Sequence, residues 1–516
     1  MPSVIFNSLK SKLTPTRKTA FFAAFLFGIA AHFYRMTNWL PNWDSLVFRD
    51  DPQHMEALGR WFLPVASKLS TDFELPWLNG LLTLVFISAA AVIVCEIFDV
   101  KSRLSAALIG AVIVTFPTVT STFTYCYVAD AYAMSFLLTC AAVYLLTRKG
   151  KLAAIPAVLL LVLSIGIYQA YITTAVALIT CTLVIGLVTG TDSAAASLGK
   201  AAKYLLGGVI ACACYYAVQT AVMTLGNIEA LDYQEFAQTL SFEEISIVPA
   251  LEASLYSFYK FFIDFSTGFN LYSAVNIAVF VSLAVGYVWA AVKKLRGAAI
   301  PLFVLYVLTI PFGCSALYFI NSNLDFHTLM KMGFVVVYLY LILLYEKADL
   351  GSVKPETVKA WIVTVLCGVI TFSGICTANV AYHKLQMSYE KSYGILMRIS
   401  DRIESLENID KIRRILVVGQ LENSEAYSVT FPPEITGTTD GLIIRHDDET
   451  VKQSVLTSAL NDYTNLTLDF LAGDKARALK STDTVKDMPC FPAAGSVACI
   501  DDIVVVKLSE EPLEGE

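Results

Sequence analysis

Charged residues are scarce in this sequence, and so are the motifs that many soluble enzymes need. Only 16% of its 516 residues are Asp, Glu, Lys or Arg, against about 25% in a typical soluble protein. Neither GxxxxGK[ST] nor GxGxxG occurs, which excludes the common nucleotide-binding loops of pumps and dinucleotide enzymes. The 11 cysteines show no spacing typical of a zinc or haem site.

Nonpolar residues, by contrast, make up 56% of the chain, and the mean hydropathy is +0.61. Because a helix needs about 20 apolar residues to cross a bilayer, the repeated apolar runs predict an all-α membrane bundle of about eleven transmembrane helices. The predicted segments are residues 19–36, 76–98, 103–119, 127–147, 152–167, 169–190, 203–223, 271–292, 299–319, 328–346 and 358–380. The first has no small-residue cleavage site after it, so we expect it to be retained.

Basic residues predict the orientation of the bundle, since short loops rich in Lys and Arg stay in the cytoplasm. They recur in alternate short loops, at Lys101, Arg103, Arg148, Lys149, Lys151, Lys293, Lys294, Arg296, Lys347 and Lys354. We therefore predict a multi-pass protein of the bacterial inner membrane with a cytoplasmic N-terminus. The larger loops, residues 37–75 and 225–270, and the C-terminal part would then be periplasmic.

Two domains are predicted, a transmembrane domain of residues 1–380 and a periplasmic C-terminal domain of residues 381–516. The second domain holds 23 acidic and 14 basic residues, and this acidic balance argues against nucleic acid as a partner. A helical pattern over residues 382–406 is expected to extend the last membrane helix. Short apolar runs at 414–419, 442–445 and 503–508 predict strands, and hence a small α/β domain. Cys490 and Cys499 are either a disulfide or two free thiols.

The first outer loop contains several residues that could take part in catalysis or substrate binding, because charged and aromatic side chains are concentrated there. Residues 55–69 predict an amphipathic helix in the membrane interface, although an ordinary solvated loop would also explain the charges. The candidate residues in this loop are Asp44, Asp50, Asp51, His54 and Arg60.

Several short motifs, taken in order, resemble one family. Asn42-Trp-Asp-Ser, Gly59-Arg-Trp-Phe-Leu-Pro, Phe123-Thr-Tyr-Cys-Tyr-Val-Ala-Asp130-Ala-Tyr, Ile165-Gly-Ile-Tyr-Gln-Ala-Tyr171 and Pro489-Cys-Phe-Pro-Ala-Ala-Gly-Ser-Val with Ile503-Val-Val-Val-Lys-Leu-Ser509 are similar to segments of the membrane glucosyltransferases that modify O-antigen during serotype conversion. That family is the type II Gtr family of the GT-C superfamily. The resemblance runs over most of the chain.

This resemblance implies a GT-C-like bundle that moves a hexose, most often glucose, from a polyprenyl-phosphate donor. The acceptor would be a lipopolysaccharide O-antigen on the periplasmic side, and membrane lipid would surround the protein. No metal is required, because the leaving group is a single lipid phosphate. The alternative is a transporter or flippase for a lipid-linked sugar, which the absence of a sequence repeat between the two halves disfavours.

The transfer chemistry needs a carboxylate as general base and cations for the leaving phosphate. The family's acidic pair in the first loop is matched here only by Asp44, since Ser45 follows it, so the base is Asp44 or one of Asp50 and Asp51. Asp130 is a second candidate, with a helix cap as its alternative role. Arg60 is the candidate for binding the phosphate.

Five further residues are weaker candidates for binding substrate. Lys260, His327 and Lys331 stand near outer membrane boundaries, where each could instead be a simple interfacial anchor. Tyr168 and Gln169 form a polar break in a long apolar run. They could hydrogen-bond a sugar, or could instead make a helix-packing contact.

Overall fold

A computed structural model describes residues 13–41, 44–45, 55–71, 73–148, 150–229, 247–266, 268, 270–347, 353–407, 412–420, 433–438 and 449–510. The protein is mostly helical (73%), with a small sheet near the C-terminus, which confirms the predicted combination of a helical membrane part and a sheet-containing tail. The chain forms two compact units. The first comprises Met1–Trp39, Gln53–Ala381 and Thr430–Thr436, and the second comprises Leu40–Pro52, Tyr382–Val429 and Gly437–Glu516.

Helices build the described part of the first unit. They are α1 (Pro15–Thr37), α2 (Leu63–Ser67), α3 (Pro76–Ile97), α4 (Arg103–Val114), α5 (Pro117–Thr124), α6 (Cys126–Arg148), α7 (Ala154–Ile167), α8 (Tyr171–Val188), α9 (Ala194–Gly226), α10 (Ile247–Phe262), α11 (Leu271–Lys294), α12 (Ala299–Leu308), α13 (Ile310–Cys314), α14 (Val336–Lys347) and the first part of α15 (Val353–Glu404). Short 3-10 helices cover Lys151–Ala153, Ala316–Phe319 and Thr328–Val335.

Within the described residues, 8 helices are long and apolar enough to cross a membrane, so the multi-pass character is confirmed. The predicted segment 103–119 is a bent pair, α4 and α5, which meet at 42° and would make a ninth span if they cross together. The predicted segment 152–167 contains the shorter helix α7, of 14 residues, and the predicted segment 299–319 contains α12, of 10 residues, followed by α13 and a 3-10 helix. The count of eleven therefore stays a prediction.

The break predicted at the Tyr168-Gln169 pair is confirmed. Tyr168 has an extended backbone (φ −154°, ψ 114°) and ends α7, while α8 begins at Tyr171. This break puts a polar, non-helical stretch between two apolar helices, where its side chains can reach the outer loop.

The prediction of an amphipathic helix over residues 55–69 is wrong. Residues 55–59 form turns, and only the five-residue α2 is helical. One reason is Gly59, whose positive φ of 80° interrupts any helix. Another is the amide of Phe62, which donates to the carbonyl of Gly166 in α7 (2.8 Å) instead of to its own chain. The loop is thus fixed by contacts with the bundle.

The second unit is a small α/β fold. α15 continues without a break to Glu404, which confirms that residues 382–406 extend the last membrane helix. The described strands are β1 (Arg414–Val418), β2 (Asp469–Phe470), β3 (Val497–Ile500) and β4 (Ile503–Lys507), and the helices are α16 (Glu449–Tyr463), α17 (Gly473–Lys480) and α18 (Asp483–Lys486). The predicted strands at 414–419 and 503–508 are confirmed as β1 and β4, and residues 442–445 lie outside the described part.

The sheet has the order β2-β1-β4-β3, with β1 parallel to both β2 and β4 and β3 antiparallel to β4. Alternate residues of β1 point to opposite faces. Ile415 packs with Leu396 and Leu460 on one face, whereas Leu416 packs with Val485 on the other. Cys490 and Cys499 are free thiols in this unit.

Candidate functional site

Arg60 lies at the end of a tight turn in the loop between α1 and α3. Its amide donates to the carbonyl of Met55 (2.7 Å), and its own carbonyl accepts from Leu63 at the start of α2 (2.9 Å). These bonds fix the backbone on both sides of Arg60. The side chain is half-buried and points from the loop into the helical bundle, as its contacts show.

Two stacked tyrosines form a platform beneath the Arg60 guanidinium. Its central carbon lies 5.1 Å from the centre of the Tyr168 ring, within the range of a cation–π contact. Tyr168 in turn stacks on Tyr132 of α6, with ring centres 4.5 Å apart and planes 15° apart. Nη1 of Arg60 is 3.5 Å from the hydroxyl of Tyr132, at the outer limit of a hydrogen bond. The platform holds the guanidinium in one orientation, as recognition of a phosphate requires.

Gln169 holds the loop that carries Arg60. Its amide nitrogen donates to the carbonyl of Leu58 (2.7 Å) and lies 3.2 Å from the hydroxyl of Tyr215 in α9. The Tyr215 hydroxyl donates to the carbonyl of Gly59 (2.9 Å). A Cβ at Gly59 would stand 2.5 Å from that hydroxyl, so the packing as well as the positive φ demands glycine. Gln169 therefore makes the packing contact that the sequence left open as its alternative.

Lys331 lies on a kinked 3-10 helix, Thr328–Val335, beside two aromatic rings. Its Nζ is 5.8 Å from the ring centres of both Phe261 and Phe326. Among the described residues, no carboxylate forms an ion pair with it. The ammonium group is held at an aromatic wall and remains available to an anion.

His327 precedes this helix and adds a neutral imidazole. Its Nδ1 is buried and has no hydrogen-bond partner in the part of the chain that the structure describes. Burial, reinforced by the positive charges of Lys331 and Arg60, lowers the pKa of His327 to about 4, although the nearby Asp325 opposes the shift. At neutral pH the ring is uncharged and offers one donor and one acceptor. We call Arg60, His327 and Lys331 the anion-binding cluster, after the role that is proposed for them below.

Asp130 is buried in α6 and is 1% exposed. The predicted capping role is wrong, because α6 begins at Cys126 and Asp130 is its fifth residue. Asn79 of α3 donates to Oδ1 of Asp130 (3.1 Å) and also to the hydroxyl of Ser70 (3.0 Å). Oδ2 has no hydrogen-bond partner among the described residues. A buried carboxylate with one unused oxygen is well suited to accept a hydrogen bond from a sugar hydroxyl.

The loop of residues 55–71 contacts both the surroundings of Asp130 and the tyrosine platform. Asn79 donates to Ser70 as well as to Asp130, and Arg60 reaches the hydroxyl of Tyr132. Asp130 and Tyr132 both lie in the first two turns of α6. The loop thus links one carboxylate, Asp130, and one cation, Arg60, to the start of the same helix.

The sequence analysis missed a buried ion pair and two supporting residues in this region. Arg35, at the end of α1, pairs with Glu74, and both side chains are almost fully buried. Arg35 also donates to the carbonyls of Phe123 (3.1 Å) and Asn38 (3.1 Å). The signal was an arginine in the last turn of an apolar helix, where an unpaired charge is costly. The supporting residues are Asn79 and Tyr132, whose types carry no such signal.

The remaining predicted candidates are Lys260, Asp44, Asp50, Asp51 and His54. Lys260 is exposed on α10, with its Nζ 5.9 Å from the ring centre of the exposed Tyr256, as expected for an interfacial anchor. Asp44 is buried (8% exposed) and belongs to the second unit. Asp50, Asp51 and His54 lie outside the described residues. Within the described part, no group of three or more His, Cys, Asp and Glu could hold a metal ion.

Comparison with known proteins assigns a family. The sequence model of the family described as Glucosyl transferase GtrII matches residues 33–338, which is more than half of the chain. The match covers Arg60, Asp130, Tyr168, His327 and Lys331. No curated protein and no solved structure matches the chain. The resemblance seen in the sequence motifs is confirmed, and the chain belongs to the GtrII glucosyltransferase family.

Proposed function

We propose that this protein transfers a glucosyl group from a polyprenyl-phosphate donor to a lipopolysaccharide O-antigen, as a GT-C-type enzyme. The observation that carries the proposal is the anion-binding cluster and the buried carboxylate of Asp130 in the same unit, in a chain of a glucosyltransferase family. Such a site matches a reaction that needs both a phosphate pocket and hydrogen-bond acceptors for sugar hydroxyls.

The anion-binding cluster suits the phosphate of the donor. Arg60 offers paired N–H groups with a geometry that matches phosphate oxygens, and Lys331 adds a compact point charge. The neutral His327 can donate a hydrogen bond without adding charge. When the bond between C1 of glucose and the phosphate oxygen breaks, its electron pair stays on that oxygen. The cluster stabilises this growing charge, which lowers the barrier.

A carboxylate takes the proton that the acceptor must lose. The acceptor hydroxyl oxygen attacks C1, and its proton passes to the base as the new C–O bond forms. We propose Asp44 for this role, with Asp50 and Asp51 as alternatives. Asp130 then orients the acceptor through its unused oxygen. Tyr168 shapes the pocket by holding Arg60.

We further propose that transfer proceeds without a metal or other cofactor. The leaving group is a single phosphate, and two fixed cations of the protein, Arg60 and Lys331, can stabilise it. This proposal is tested by measuring transfer after treatment with a chelator. Retained transfer supports it, and loss that is restored by a divalent cation contradicts it.

The proposed location is the bacterial inner membrane. The basic loops support eleven crossings with the N-terminus in the cytoplasm and residues 381–516 in the periplasm. This places the first outer loop, and with it Arg60, on the side where O-antigen is modified. Membrane lipid would cover the many exposed apolar side chains of the bundle, such as Leu205, Val209 and Val285.

The decisive test is glucose transfer in membrane vesicles supplied with polyprenyl-phosphate glucose and an O-antigen acceptor. We expect the wild type to transfer and Asp44→Asn to lose about 100-fold or more in kcat. Asp474→Asn, an exposed carboxylate change in the second unit, is the matched control. Unaltered transfer by Asp44→Asn would move the base to Asp50 or Asp51. Movement of the lipid-linked sugar across the membrane without transfer would instead support a transporter or flippase.

A further inference from the structure

A short segment from the C-terminal part of the chain is built into the membrane unit. Residues 434–436 begin 30 positions after the end of α15 at Glu404, yet Thr430–Thr436 belongs to the first unit. The amide of Thr436 donates to the hydroxyl of Ser121 (3.2 Å), and its carbonyl accepts from the hydroxyl of Thr124 (2.8 Å). We call residues 434–436 the strap.

The strap is also bonded to the helix that carries Lys331. The amide of Thr328 donates to the Thr436 hydroxyl (3.1 Å), and the Thr328 hydroxyl donates to the carbonyl of Glu434. Ile435, between the two bonded residues, is 6% exposed. Four hydrogen bonds therefore join the strap to its partners, and a buried side chain anchors it.

This docking brings the Glu434 carboxylate beside the anion-binding cluster. A 3-10 helix has about three residues per turn, so Thr328 and Lys331 lie on the same side of Thr328–Val335. Glu434 is bonded to Thr328, and its negative charge acts on Lys331. Asp325 adds a second negative charge near the same ammonium group.

Among the described groups that act on Lys331 and His327, the charges nearly cancel. Arg60, Lys260 and Lys331 are positive, Asp325 and Glu434 are negative, and His327 is neutral at pH 7 because its pKa is about 4. A cluster with so little excess positive charge suits an anion with one charge, such as a phosphodiester. A lipid diphosphate carries at least one more negative charge and would meet repulsion from Glu434.

From this we infer that Glu434, delivered by the strap, is a specificity-determining residue that makes the site select lipid monophosphates over lipid diphosphates. The inference rests on the proposed function, since it concerns the same donor site. Its physical basis is electrostatic repulsion. The fixed negative charge of Glu434 repels the lipid with more negative charges more strongly, and so discriminates against it.

The test measures the binding of farnesyl phosphate glucose, a phosphodiester with one negative charge, and of farnesyl diphosphate glucose, which carries two, to the purified full-length protein in detergent. The wild type should prefer the monophosphate. Glu434→Gln, which keeps the backbone bonds and the shape, should shift the preference toward the diphosphate by roughly threefold to fivefold. The shift should shrink at high salt, because Glu434 is exposed and its charge is screened.

Two further variants separate docking from charge. Thr436→Val removes the hydroxyl that accepts from Thr328 and should shift the preference in the same direction, whereas Thr436→Ser should retain the wild-type preference. Asp474→Asn, on the exposed surface of α17, should have no effect. If Glu434→Gln leaves the preference unaltered, or if Asp474→Asn shifts it equally, the role of Glu434 is overturned but the donor site is not. A wild type that binds neither lipid would overturn the donor site itself.

Discussion

Arg60 and Tyr168 form a cation–π pair in which the guanidinium carbon lies 5.1 Å from the ring centre, although 108 positions separate the two residues in sequence. The pair joins the loop between α1 and α3 to a break between two apolar helices. Because Tyr168 stacks on Tyr132 in turn, the guanidinium rests on a rigid aromatic base. Two of the predictions below, for Arg60→Lys and Gly166→Ala, depend on this arrangement.

Arg60→Lys is expected to weaken donor binding although it keeps the charge. Lysine lacks the planar fork that matches phosphate oxygens and stacks on Tyr168. We expect KM for the polyprenyl-phosphate donor to rise by about tenfold, equivalent to about 1.4 kcal/mol. Steady-state kinetics in vesicles measure this, with Arg477→Lys, an exposed arginine of α17, as the control. Unchanged KM would remove Arg60 from the donor site.

Asp130→Asn tests the proposed role in orienting the acceptor. The substitution removes a charged hydrogen-bond acceptor but keeps the shape, so KM for the O-antigen acceptor should rise by about tenfold with a smaller change in kcat. Ser135→Ala, which removes a buried hydroxyl five residues later on α6, controls for disturbed packing. A collapse of kcat at constant KM would make Asp130 the base instead of Asp44.

Because of His327, we expect the stability of the protein to depend on pH. Its folded-state pKa of about 4 is below the ordinary value of 6.5, so between these values the unfolded state binds more protons. The contribution of the neutral His327 ring to the free energy of unfolding is fully present above pH 6.5. It declines by at most about 3 kcal/mol as pH falls toward 4. Thermal unfolding in detergent should show a weaker pH dependence for His327→Gln than for the wild type. The exposed His383→Gln should retain the wild-type slope, and a shared slope in all three proteins would contradict the assignment.

Gly166→Ala should disturb the loop that carries Arg60. A Cβ at this position would lie 2.7 Å from the ring of Trp61, the neighbour of Arg60, so the ring must move. Such overpacking costs about 1–3 kcal/mol. We expect a lower Tm and a higher donor KM. Gly208→Ala in α9, where nothing lies within 4 Å of the added methyl, is the control. Equal behaviour of the two variants would show that Trp61 adapts without cost.

The proposed topology can be checked with alkaline phosphatase fusions, since this reporter is active only in the periplasm. A fusion after residue 510 should be active, whereas fusions at Gly150 and Gly297 should be inactive. This pattern follows from the basic residues of the short loops. An inactive C-terminal fusion with active fusions at the two glycines would invert the orientation and contradict the proposed periplasmic site.

Much of the candidate site was visible in the sequence as single residues, but their partners were not. Arg60, Tyr168, His327 and Lys331 drew attention because polar groups at membrane boundaries are costly. Which of them meet depends on contacts between segments far apart in the chain. Arg35 and Glu74 show the same limit, because an isolated arginine gives no sign of the residue that neutralises it.

The sequence by itself determined the class of the protein. Apolar runs long enough to cross a bilayer, the acidic tail and the strands at 414–419 and 503–508 follow from local composition and periodicity, and the motif order indicated the family. Tertiary structure alone decided that residues 55–69 are not one helix, that Gln169 holds the loop, and that residues 434–436 dock beside Lys331. The reason is physical: hydropathy acts residue by residue, whereas hydrogen bonds and charges act between segments that only folding brings together.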